Sequence, residues 1–385
     1  MSLTLREDAV GLYIHIPFCE RLCHFCGFFK GSFREGEAGT FVNDLLAEIR
    51  LYGNNHGLRD RAIETIYVGG GTPTTLSADQ LGGILMACRD AFRVLPDAEI
   101  TVEANPAGLD EEFLRALRLA GYNRLSLGAQ SFDSAELRSV GSPHTAADID
   151  RAVRCARQAG FTNLNLDLIY GLPGQSLERL STNLRSAIDL MPQHISLYGL
   201  TIEEGTRFAR EQEAGELVLT SHDVMAEMSE MGRMMLEAAG YLQYEVSNFA
   251  QPAFACRHNL GYWTDREWLG LGPSAHSYLD GERFANAESL ETYHESLLRG
   301  QAPVTERDEA DDDLRLREAL AFGLRLVSGV ELTSLARRYG VSPLERFQSP
   351  IEQARTVGWL KINGEVLCPT ATGLAFADDL AASFL

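Results

Sequence analysis

Long apolar runs, basic residues and cysteines are all scarce in this sequence of 385 residues. No window approaches the roughly 18 consecutive apolar residues of a transmembrane helix, and the N-terminus lacks a basic segment followed by an apolar one. The 34 Lys and Arg are outnumbered by 54 Asp and Glu, so the net charge is −20 at pH 7. Such a charge repels a phosphate backbone, which argues against nucleic acid as a partner. We expect a cytoplasmic protein without a transmembrane segment.

Seven cysteines are too few and too unevenly placed for a secreted disulfide framework. Their number is odd, and Cys88, Cys155, Cys256 and Cys368 stand singly in the sequence. The other three fall within eight residues, between positions 19 and 26. This clustering indicates a local metal site in a reducing compartment.

The length and composition fit a globular protein with a large core. Hydrophobic residues make up 45% and charged residues 23% of the chain, which excludes a disordered or collagen-like protein. At about 150 residues per domain, the length predicts two or three domains, or one large α/β barrel with an appendage.

Six short apolar runs, each followed by a longer segment with helical periodicity, predict alternating strands and helices. The runs cover 11–16, 64–70, 99–104, 123–128, 163–171 and 194–200. Repeated strand and helix units place parallel strands inside and crossover helices outside. We therefore predict an α/β fold, with a partial or complete TIM-like (βα) barrel over residues 1–240. In such a barrel, the reacting groups lie at the carboxyl ends of the strands.

The rest of the chain has a different pattern. Shorter strand-like pieces interleaved with aromatic residues predict a β-containing extension of the barrel over residues 241–300. Residues 301–385 predict a small, mainly helical, winged-helix-like domain, which includes a hairpin near 361–370. The acidic run at 306–313 is expected to begin the first helix of this domain, where carboxylates complement the positive end of the helix dipole.

Cys19, Cys23 and Cys26 follow directly after the first predicted strand. Three thiolates at these spacings can hold one iron–sulfur cluster from a single loop. A zinc site would normally need a fourth ligand, and His24 is poorly placed to supply it next to Cys23. In a four-iron cluster, three cysteines leave one iron open for a chelating ligand, such as the amino and carboxylate groups of a methionine. The incomplete ligand set is therefore the main indication of function.

The CxxxCxxC motif formed by these cysteines resembles the signature of radical S-adenosylmethionine (SAM) proteins. The surrounding sequence is similar to the branch that contains oxygen-independent coproporphyrinogen III oxidase and the HemW-type heme chaperones, from about Leu12 into the C-terminal domain. The resemblance implies a 4Fe-4S cluster bound by the three cysteines and SAM bound at the open iron. A reduced cluster would then pass an electron to SAM and break the sulfonium bond.

The resemblance also implies which residues contact SAM. Most of them lie at the ends of predicted strands, where the alternative for a polar side chain is an ordinary residue that ends a barrel strand. Glycines at a strand end let the backbone approach a ligand closely. The implied SAM contacts are Tyr13, Gly70, Gly71, Thr72, Glu103, Gln130 and Asp167.

Two positions depart from the family pattern. Relatives usually carry an Arg within a Gly-Arg-x-His stretch that pairs with the SAM carboxylate, and the corresponding residue here is Ser142. This change should weaken SAM binding unless Arg138 or backbone donors replace the contact. The residue after the third cysteine is Gly27, where the chaperones usually have Asp.

A second motif, HNxxYW at positions 258–263, is implied by the resemblance to contact heme. His258 is the leading candidate for an axial iron ligand, and Tyr262 and Trp263 offer flat apolar faces to a porphyrin. Cys256 is a second candidate. The alternative for His258 is a hydrogen-bonded structural histidine.

The resemblance implies a heme chaperone that binds a 4Fe-4S cluster, SAM and heme, delivers heme to a partner protein, and takes electrons from a reductant such as flavodoxin or ferredoxin. The short segment before Cys19 and the presence of Phe28 in place of a further cysteine favour this interpretation. The alternative is a radical SAM enzyme that oxidatively decarboxylates coproporphyrinogen III or acts on another substrate, and Gly27 is in keeping with it. A third hypothesis is a scaffold with a purely structural cluster.

Overall fold

The structure, a computed structural model, describes residues 5–6, 8–32, 36–54, 56–308 and 310–385. The strands, numbered in chain order, are β1 (Val10–Ile16), β2 (Phe18–Cys19), β3 (Gly31–Ser32), β4 (Ala62–Gly70), β5 (Arg93–Ala104), β6 (Arg124–Gln130), β7 (Leu164–Tyr170), β8 (His194–Gly199), β9 (Leu242–Glu245), β10 (Asn248–Ala250), β11 (Trp268–Leu271), β12 (His276–Leu279), β13 (Glu282–Asn286), β14 (Val304–Asp308), β15 (Val330–Glu331), β16 (Leu360–Asn363) and β17 (Val366–Pro369). The helices are α1 (Glu37–Gly53), α2 (His56–Arg59), α3 (Ala78–Ala91), α4 (Glu111–Ala120), α5 (Ser134–Ser139), α6 (Ala146–Gln158), α7 (Leu177–Asp189), α8 (Arg207–Glu213), α9 (His222–Ala238), α10 (Arg257–Trp263), α11 (Leu290–Leu298), α12 (Asp312–Gly323), α13 (Leu332–Tyr339), α14 (Pro343–Arg346), α15 (Gln348–Thr356), α16 (Ala371–Ala375) and α17 (Ala377–Ala382).

Twelve strands form one sheet in the described part of the chain, in the order β14-β13-β12-β11-β1-β4-β5-β6-β7-β8-β10-β9. The strands from β11 to β8 in this order are parallel neighbours, and the strands on either side of them pair antiparallel. Because the order has two ends among these residues, the barrel is open rather than closed. The predicted TIM-like barrel is thus confirmed in its partial form.

The outward faces of the parallel strands carry the apolar core. In β1, Leu12, Ile14 and Ile16 are fully buried in one cluster with apolar residues of the helices, while the residues between them face the barrel interior. Several helices begin at capping residues, as in α3, where the Ser77 side chain accepts from the Gln80 backbone N–H and the Gln80 side chain accepts from the Ser77 N–H. In the residues described, no helix is long and apolar enough to cross a membrane.

The inward faces of the same strands are polar, in contrast to the branched apolar layers that usually fill a TIM barrel. Among the residues described, the buried atoms Thr101 Oγ1 and Arg124 Nε have no hydrogen-bond partner. The barrel interior is polar along the length of these strands. We call the following inward residues the polar column: Tyr13, Thr65, Tyr67, Glu99, Thr101, Arg124, Ser126, Asn165, His194 and Ser196.

Strand β14 extends the main sheet, although the sequence indicates a helical domain from residue 301. It pairs with β13, so Glu306 and Asp308 lie in an edge strand. The prediction that the whole acidic run begins a helix is therefore wrong for the first half of the run. Charged side chains on an edge strand oppose pairing with other chains. Asp311 then caps α12 by accepting from the Leu314 N–H.

The C-terminal domain has an apolar core of its own. Its helices pack on a three-stranded sheet in the order β15-β17-β16, and β16 and β17 form the predicted hairpin. The domain contacts the barrel extension directly. The Tyr339 hydroxyl donates to the Asp265 carboxylate at 2.6 Å, and the Arg325 guanidinium lies 5.0 Å from the centre of the Trp263 ring.

Candidate functional site

A cavity of about 830 Å³ opens at the carboxyl ends of the barrel strands. This volume lies within the usual range of pockets for cofactors and small ligands. The structure brings together the predicted cluster ligands and all but one of the predicted SAM contacts. Tyr13 is the exception, because it lies deeper in the polar column with its hydroxyl 3.1 Å from His15 Nδ1. The predicted residues that line the cavity are Cys19, Cys23, Cys26, Gly70, Gly71, Thr72, Glu103, Gln130 and Asp167.

The cysteine loop, residues 19–26, is anchored on the side away from the cavity by His24. The His24 N–H donates to Val140 O at 3.0 Å, and His24 Nδ1 lies 2.8 Å from Ser139 O. The imidazole is outside the cavity lining, so it is not placed as a fourth metal ligand. After the cysteines, β3 returns beside β2 and closes the loop against the end of β1.

Burial disfavours the ionised form of the loop thiols. It raises the pKa of Cys19, and it raises the pKa of Cys23 to about 12. The Thr72 hydroxyl, 3.6 Å from Cys19 Sγ, opposes the rise at Cys19. Thiolates here therefore need a positively charged partner such as iron. Within the described ranges, no group of three Cys, His, Asp or Glu side chains is arranged to hold a single metal ion.

Gly70 and Gly71 let the backbone pass where no side chain fits. Gly70 has a φ of +104°, and a Cβ at this position would lie 2.5 Å from the His15 ring. A Cβ on Gly71 would lie 2.5 Å from Phe18 O. Because both residues also line the cavity, the bare backbone forms part of its wall and is accessible to a ligand.

Two carboxyl groups face the cavity from neighbouring parts of the barrel. Glu103 accepts from the Tyr67 hydroxyl at 2.7 Å and from the Gly70 N–H at 3.2 Å, and burial raises its pKa to about 7. Asp167 accepts from the Ser126 hydroxyl at 2.8 Å, and burial raises its pKa as well. Carboxylates held in this way can accept hydrogen bonds from ribose hydroxyls or from an ammonium group.

Gln130 ends β6 in a left-handed conformation, with a φ of +63°, which is uncommon for a residue with a side chain. His144 braces this strand end, because its Nε2 lies 2.9 Å from Ala129 O. The Ser142 hydroxyl is 2.9 Å from His144 Nδ1, so this side chain is turned toward the histidine and does not line the cavity. Arg138 is exposed and also lies outside the lining.

Helix α10 closes the opposite end of the barrel and carries His258. In the buried imidazole, Nδ1 lies 2.8 Å from Thr65 Oγ1 and Nε2 lies 2.9 Å from the Tyr262 hydroxyl. Burial lowers the pKa of His258 to about 3, so the ring is neutral at ordinary pH. Both ring nitrogens are engaged, and binding of iron by His258 therefore requires one of these hydrogen bonds to break.

The other two predicted heme residues point to different neighbours. The Tyr262 ring packs edge-on against Trp268, with ring centres 4.7 Å apart, whereas the Trp263 ring faces Arg325 of the C-terminal domain. The cavity beside His258 has a volume of only about 20 Å³. The structure thus does not bring the three predicted heme residues together around a space for a porphyrin.

Hydrogen bonds through the polar column connect the large cavity with α10. Asn165 Nδ2 donates to Asp167 Oδ1 at 2.8 Å, and Asn165 Oδ1 lies 2.6 Å from His194 Nδ1. His194 Nε2 is 2.9 Å from the Tyr244 hydroxyl, which accepts from the Cys256 N–H at 3.3 Å. Burial lowers the pKa of His194, so this link is uncharged. Each step from the cavity to the residue before α10 is therefore a hydrogen bond.

Tyr67, Arg21 and Lys30 line the cavity but are not among the predicted site residues. Tyr67 can be found from strand alternation, because it lies between Ile66 and Val68, which face the apolar core. Arg21 and Lys30 lie in or just after the cysteine loop, at positions to which the motif spacing gives no role. They are the cations of the cavity wall in the part of the chain that the structure describes.

Comparison with known proteins assigns the family. Residues 13–187 match the Radical SAM superfamily, and residues 311–376 match the HemN C-terminal domain. Heme chaperone HemW from Bacillus subtilis is 34% identical over 374 residues, which cover 97% of this chain and 98% of that protein. Heme chaperone HemW from Mycobacterium tuberculosis is 36% identical over 380 residues, which cover 97% and 94%. The chain belongs to the HemW family of radical SAM proteins.

A solved structure establishes the fold of this HemW-family chain independently. Coproporphyrinogen III oxidase (HemN) from Escherichia coli, described as a radical SAM enzyme, matches with a TM-score of 0.86 and 24% identity, and the match covers 98% of this chain and 90% of that one. At this level of identity, the likeness shows a shared α/β barrel with a C-terminal helical domain.

Membership of the radical SAM superfamily implies a 4Fe-4S cluster and SAM. The donor set of this HemW-family chain fits the cluster, because three thiols come from one loop beside a cavity with polar walls. Cys19, Cys23 and Cys26 would hold three irons and leave the fourth open toward the cavity. When bound, the cluster supplies the electron for reductive cleavage of SAM.

Proposed function

We propose that this protein is a heme chaperone, which holds a 4Fe-4S cluster and SAM in the large cavity, binds heme and delivers it to an acceptor protein. The observation that carries the proposal is the 34% identity to the Bacillus subtilis heme chaperone HemW along 97% of the chain. The shared cavity of the three cysteines and the strand-end residues supports the cofactor part of the proposal.

Different residues of the cavity bind the two cofactors. The three cysteines hold the cluster, and the bare backbone of the glycine motif accommodates the methionine part of SAM. The Tyr67 hydroxyl holds the Glu103 carboxyl in place by donating a hydrogen bond to it. Tyr13 lies below the cavity and does not line it. The residues proposed to contact SAM are Gly70, Gly71, Thr72, Glu103, Gln130 and Asp167.

The raised pKa of Glu103, about 7, has a consequence for SAM binding. A ligand that brings an ammonium or sulfonium group near the carboxyl stabilises its ionised form. Binding of SAM should therefore lower the pKa of Glu103 and release the proton from the fraction of the protein in which this carboxyl is protonated. The Tyr67 hydroxyl and the Gly70 N–H keep the carboxylate in place once it is charged.

His258 remains the proposed heme ligand, in a conformation that differs from the one described above. A neutral imidazole is the form that binds iron, and the low pKa of His258 keeps it in that form. Ligation follows when Nε2 exchanges the Tyr262 hydroxyl for iron. Hydrogen bonds through the polar column connect Asp167 with the residue before α10, and we propose that a ligand in the cavity influences the segment that carries His258 along this route.

The surface beside the cluster loop is where protein partners would bind. Phe28 is 66% exposed and Leu22 is 43% exposed, and both lie within two residues of a cysteine that would hold the cluster. A reductant such as flavodoxin or ferredoxin would transfer its electron here, and a heme acceptor would dock separately.

Heme titration tests the proposal. Anaerobically reconstituted protein should give a saturable Soret shift with hemin, and His258→Ala should weaken heme binding by about tenfold or more. The matched control is His222→Ala, because His222 is an exposed residue of α9. A Soret change that is absent, or that is the same in all three proteins, removes the basis for His258 as the ligand.

The same preparation tests the alternative activity. Reduced protein incubated with SAM and coproporphyrinogen III should form no protoporphyrinogen IX. Formation of that product would refute a function limited to heme transfer and would support a radical SAM enzyme acting on a porphyrinogen.

A further inference from the structure

The chain contains two lysines, Lys30 and Lys361, and the other 32 of its 34 basic residues are arginines. One of the two lysines therefore lies just after the cysteine loop, whereas the other is an exposed residue of the C-terminal hairpin. A chain that uses Arg almost everywhere has an ammonium group beside its candidate cluster site.

The Lys30 ammonium binds the backbone that follows the third cysteine. Lys30 Nζ donates to the carbonyl oxygen of Cys26 and to that of Phe28, the latter at 3.2 Å. The next carbonyl, of Phe29, lies 2.8 Å from His15 Nε2. Three carbonyls of this turn are thus held by two side chains, which fix the backbone that carries the Cys26 thiol.

The geometry suits lysine better than arginine. An ammonium group is compact and has three donors that diverge from one atom, so it can bind two carbonyls of one tight turn. A guanidinium is a larger planar fork that matches the two oxygens of a carboxylate or phosphate. The contacts of Lys30 are with carbonyl oxygens of residues two positions apart, and this is the arrangement in which exchange for Arg is not conservative.

The position of the charge adds a second effect. Lys30 lines the same cavity as the three cysteines, so its positive charge lies close to the sulfur atoms that would hold the cluster. The reduction potential of an iron–sulfur cluster depends on the net charge and hydrogen bonding around it. A fixed cation beside a cluster with thiolate ligands favours the reduced state.

We propose that Lys30 is a positioning residue of the cluster site, which fixes the turn after Cys26 and raises the reduction potential of the cluster. The proposal rests on the cluster assignment of the proposed function. It assigns to Lys30 a contribution beyond the three cysteine ligands.

The test compares Lys30→Met, Lys30→Arg and the matched control Lys361→Met in full-length, anaerobically reconstituted protein. Iron and sulfide are measured first, and the midpoint potential is then measured by redox titration followed by electron paramagnetic resonance. Lys30→Met should retain the cluster with a more negative midpoint potential. Lys30→Arg should keep a potential closer to that of the wild type but lose iron faster to a chelator. Lys361→Met should match the wild type in both measurements.

A second measurement keeps the proposal falsifiable if Lys30→Met fails to hold a cluster. Reconstituted wild-type protein is treated with an amine-acylating reagent, and modification of the two lysines is followed by mass spectrometry. Lys30 should react several-fold more slowly than Lys361, because its ammonium is hydrogen-bonded to the loop. Equal reactivity, or an unchanged potential in Lys30→Met with a full cluster, would overturn the proposal. Wild-type protein that takes up no iron would instead refute the cluster assignment itself.

Discussion

A glycine determines the path of the chain directly after the third cysteine. A Cβ on Gly27 would lie 2.7 Å from Glu203 Cβ, an atom that is attached to the backbone and cannot rotate away. Gly31, four residues later, has nothing within 4 Å of an added Cβ. The two glycines flank the same short segment and differ in the space around them, so they form a matched pair for substitution.

Gly27→Ala should lower the iron content after reconstitution and reduce the free energy of unfolding by about 1–2 kcal/mol, because the loop must move away from Glu203. Gly31→Ala should change the free energy of unfolding by less than about 0.5 kcal/mol and leave the iron content as it is. Urea denaturation and an iron assay check both variants. If the two glycines tolerate alanine equally well, the close contact does not constrain the loop.

Residue type and spacing predict much of the site, because a cluster needs clustered cysteines and close backbone approach needs glycine. The position of a side chain along the barrel axis cannot be predicted in this way. Tyr13, which the resemblance implies as a SAM contact, faces the barrel interior but lies below the cavity, and alternation along a strand does not tell at which level the cavity ends. The contacts of Lys30 depend on how the loop folds back, which no local pattern contains.

At the scale of elements, α10 is held by a strand rather than by its own sequence. The helix has no side-chain cap at Cys256. Instead, the Glu99 carboxylate of β5 accepts from the Arg257 N–H at 3.1 Å, from the His258 N–H at 3.2 Å and from Cys256 Sγ at 3.3 Å. A single carboxylate therefore satisfies the first free N–H groups of this helix and complements its dipole.

Replacement of Glu99 by Ala should lower the free energy of unfolding by about 3 kcal/mol, because it leaves buried N–H groups without an acceptor and removes the negative charge that interacts with the buried Arg124. Asp97→Ala is the matched control, since Asp97 lies in the same strand with a side chain that is 62% exposed. Urea denaturation measures both. A loss for Glu99→Ala no larger than that for Asp97→Ala would show that α10 does not depend on this carboxylate.

The six barrel strands could be predicted from their apolar runs, since each run is local and each strand is buried on its outer face. Two elements could not be placed in this way. The acidic residues of β14 resemble a helix start, and only the presence of β13 as a neighbour makes the segment a strand. The HNxxYW motif does not indicate where its helix packs, and docking under the barrel buries His258 in the hydrogen-bonded state that the sequence left open as the alternative to a heme ligand.

For the molecule as a whole, buried acids make stability depend on pH. Burial raises the pKa of Glu48 and of Glu103 from 4.5 to about 7. Between pH 4.5 and about pH 7, these two carboxyl groups hold protons in the folded protein that they release in the unfolded chain. The stabilisation from these groups is therefore complete below about pH 4.5 and is lost as the pH rises through about 7. Because Glu103 borders an open cavity, water reduces the size of its contribution.

Glu103→Gln should gain stability relative to the wild type as the pH is raised from 5 to 8 without ligand. The expected gain in the free energy of unfolding is about 1–3 kcal/mol, since a pKa change of one corresponds to about 1.4 kcal/mol. Urea denaturation across this pH range measures the difference, and Glu204→Gln, a change at an exposed carboxylate, is the control. Parallel curves for Glu103→Gln and the wild type would contradict the raised pKa.

The polar column has an evolutionary consequence. Each barrel strand has one face in the apolar core that holds the molecule together and one face in an interior that is already hydrophilic. Of two neighbouring residues of a strand, one is therefore constrained by the stability of the fold and the next by the ligand that the barrel binds. Descendants of such a chain can acquire new cargo through alternate positions without rebuilding the scaffold.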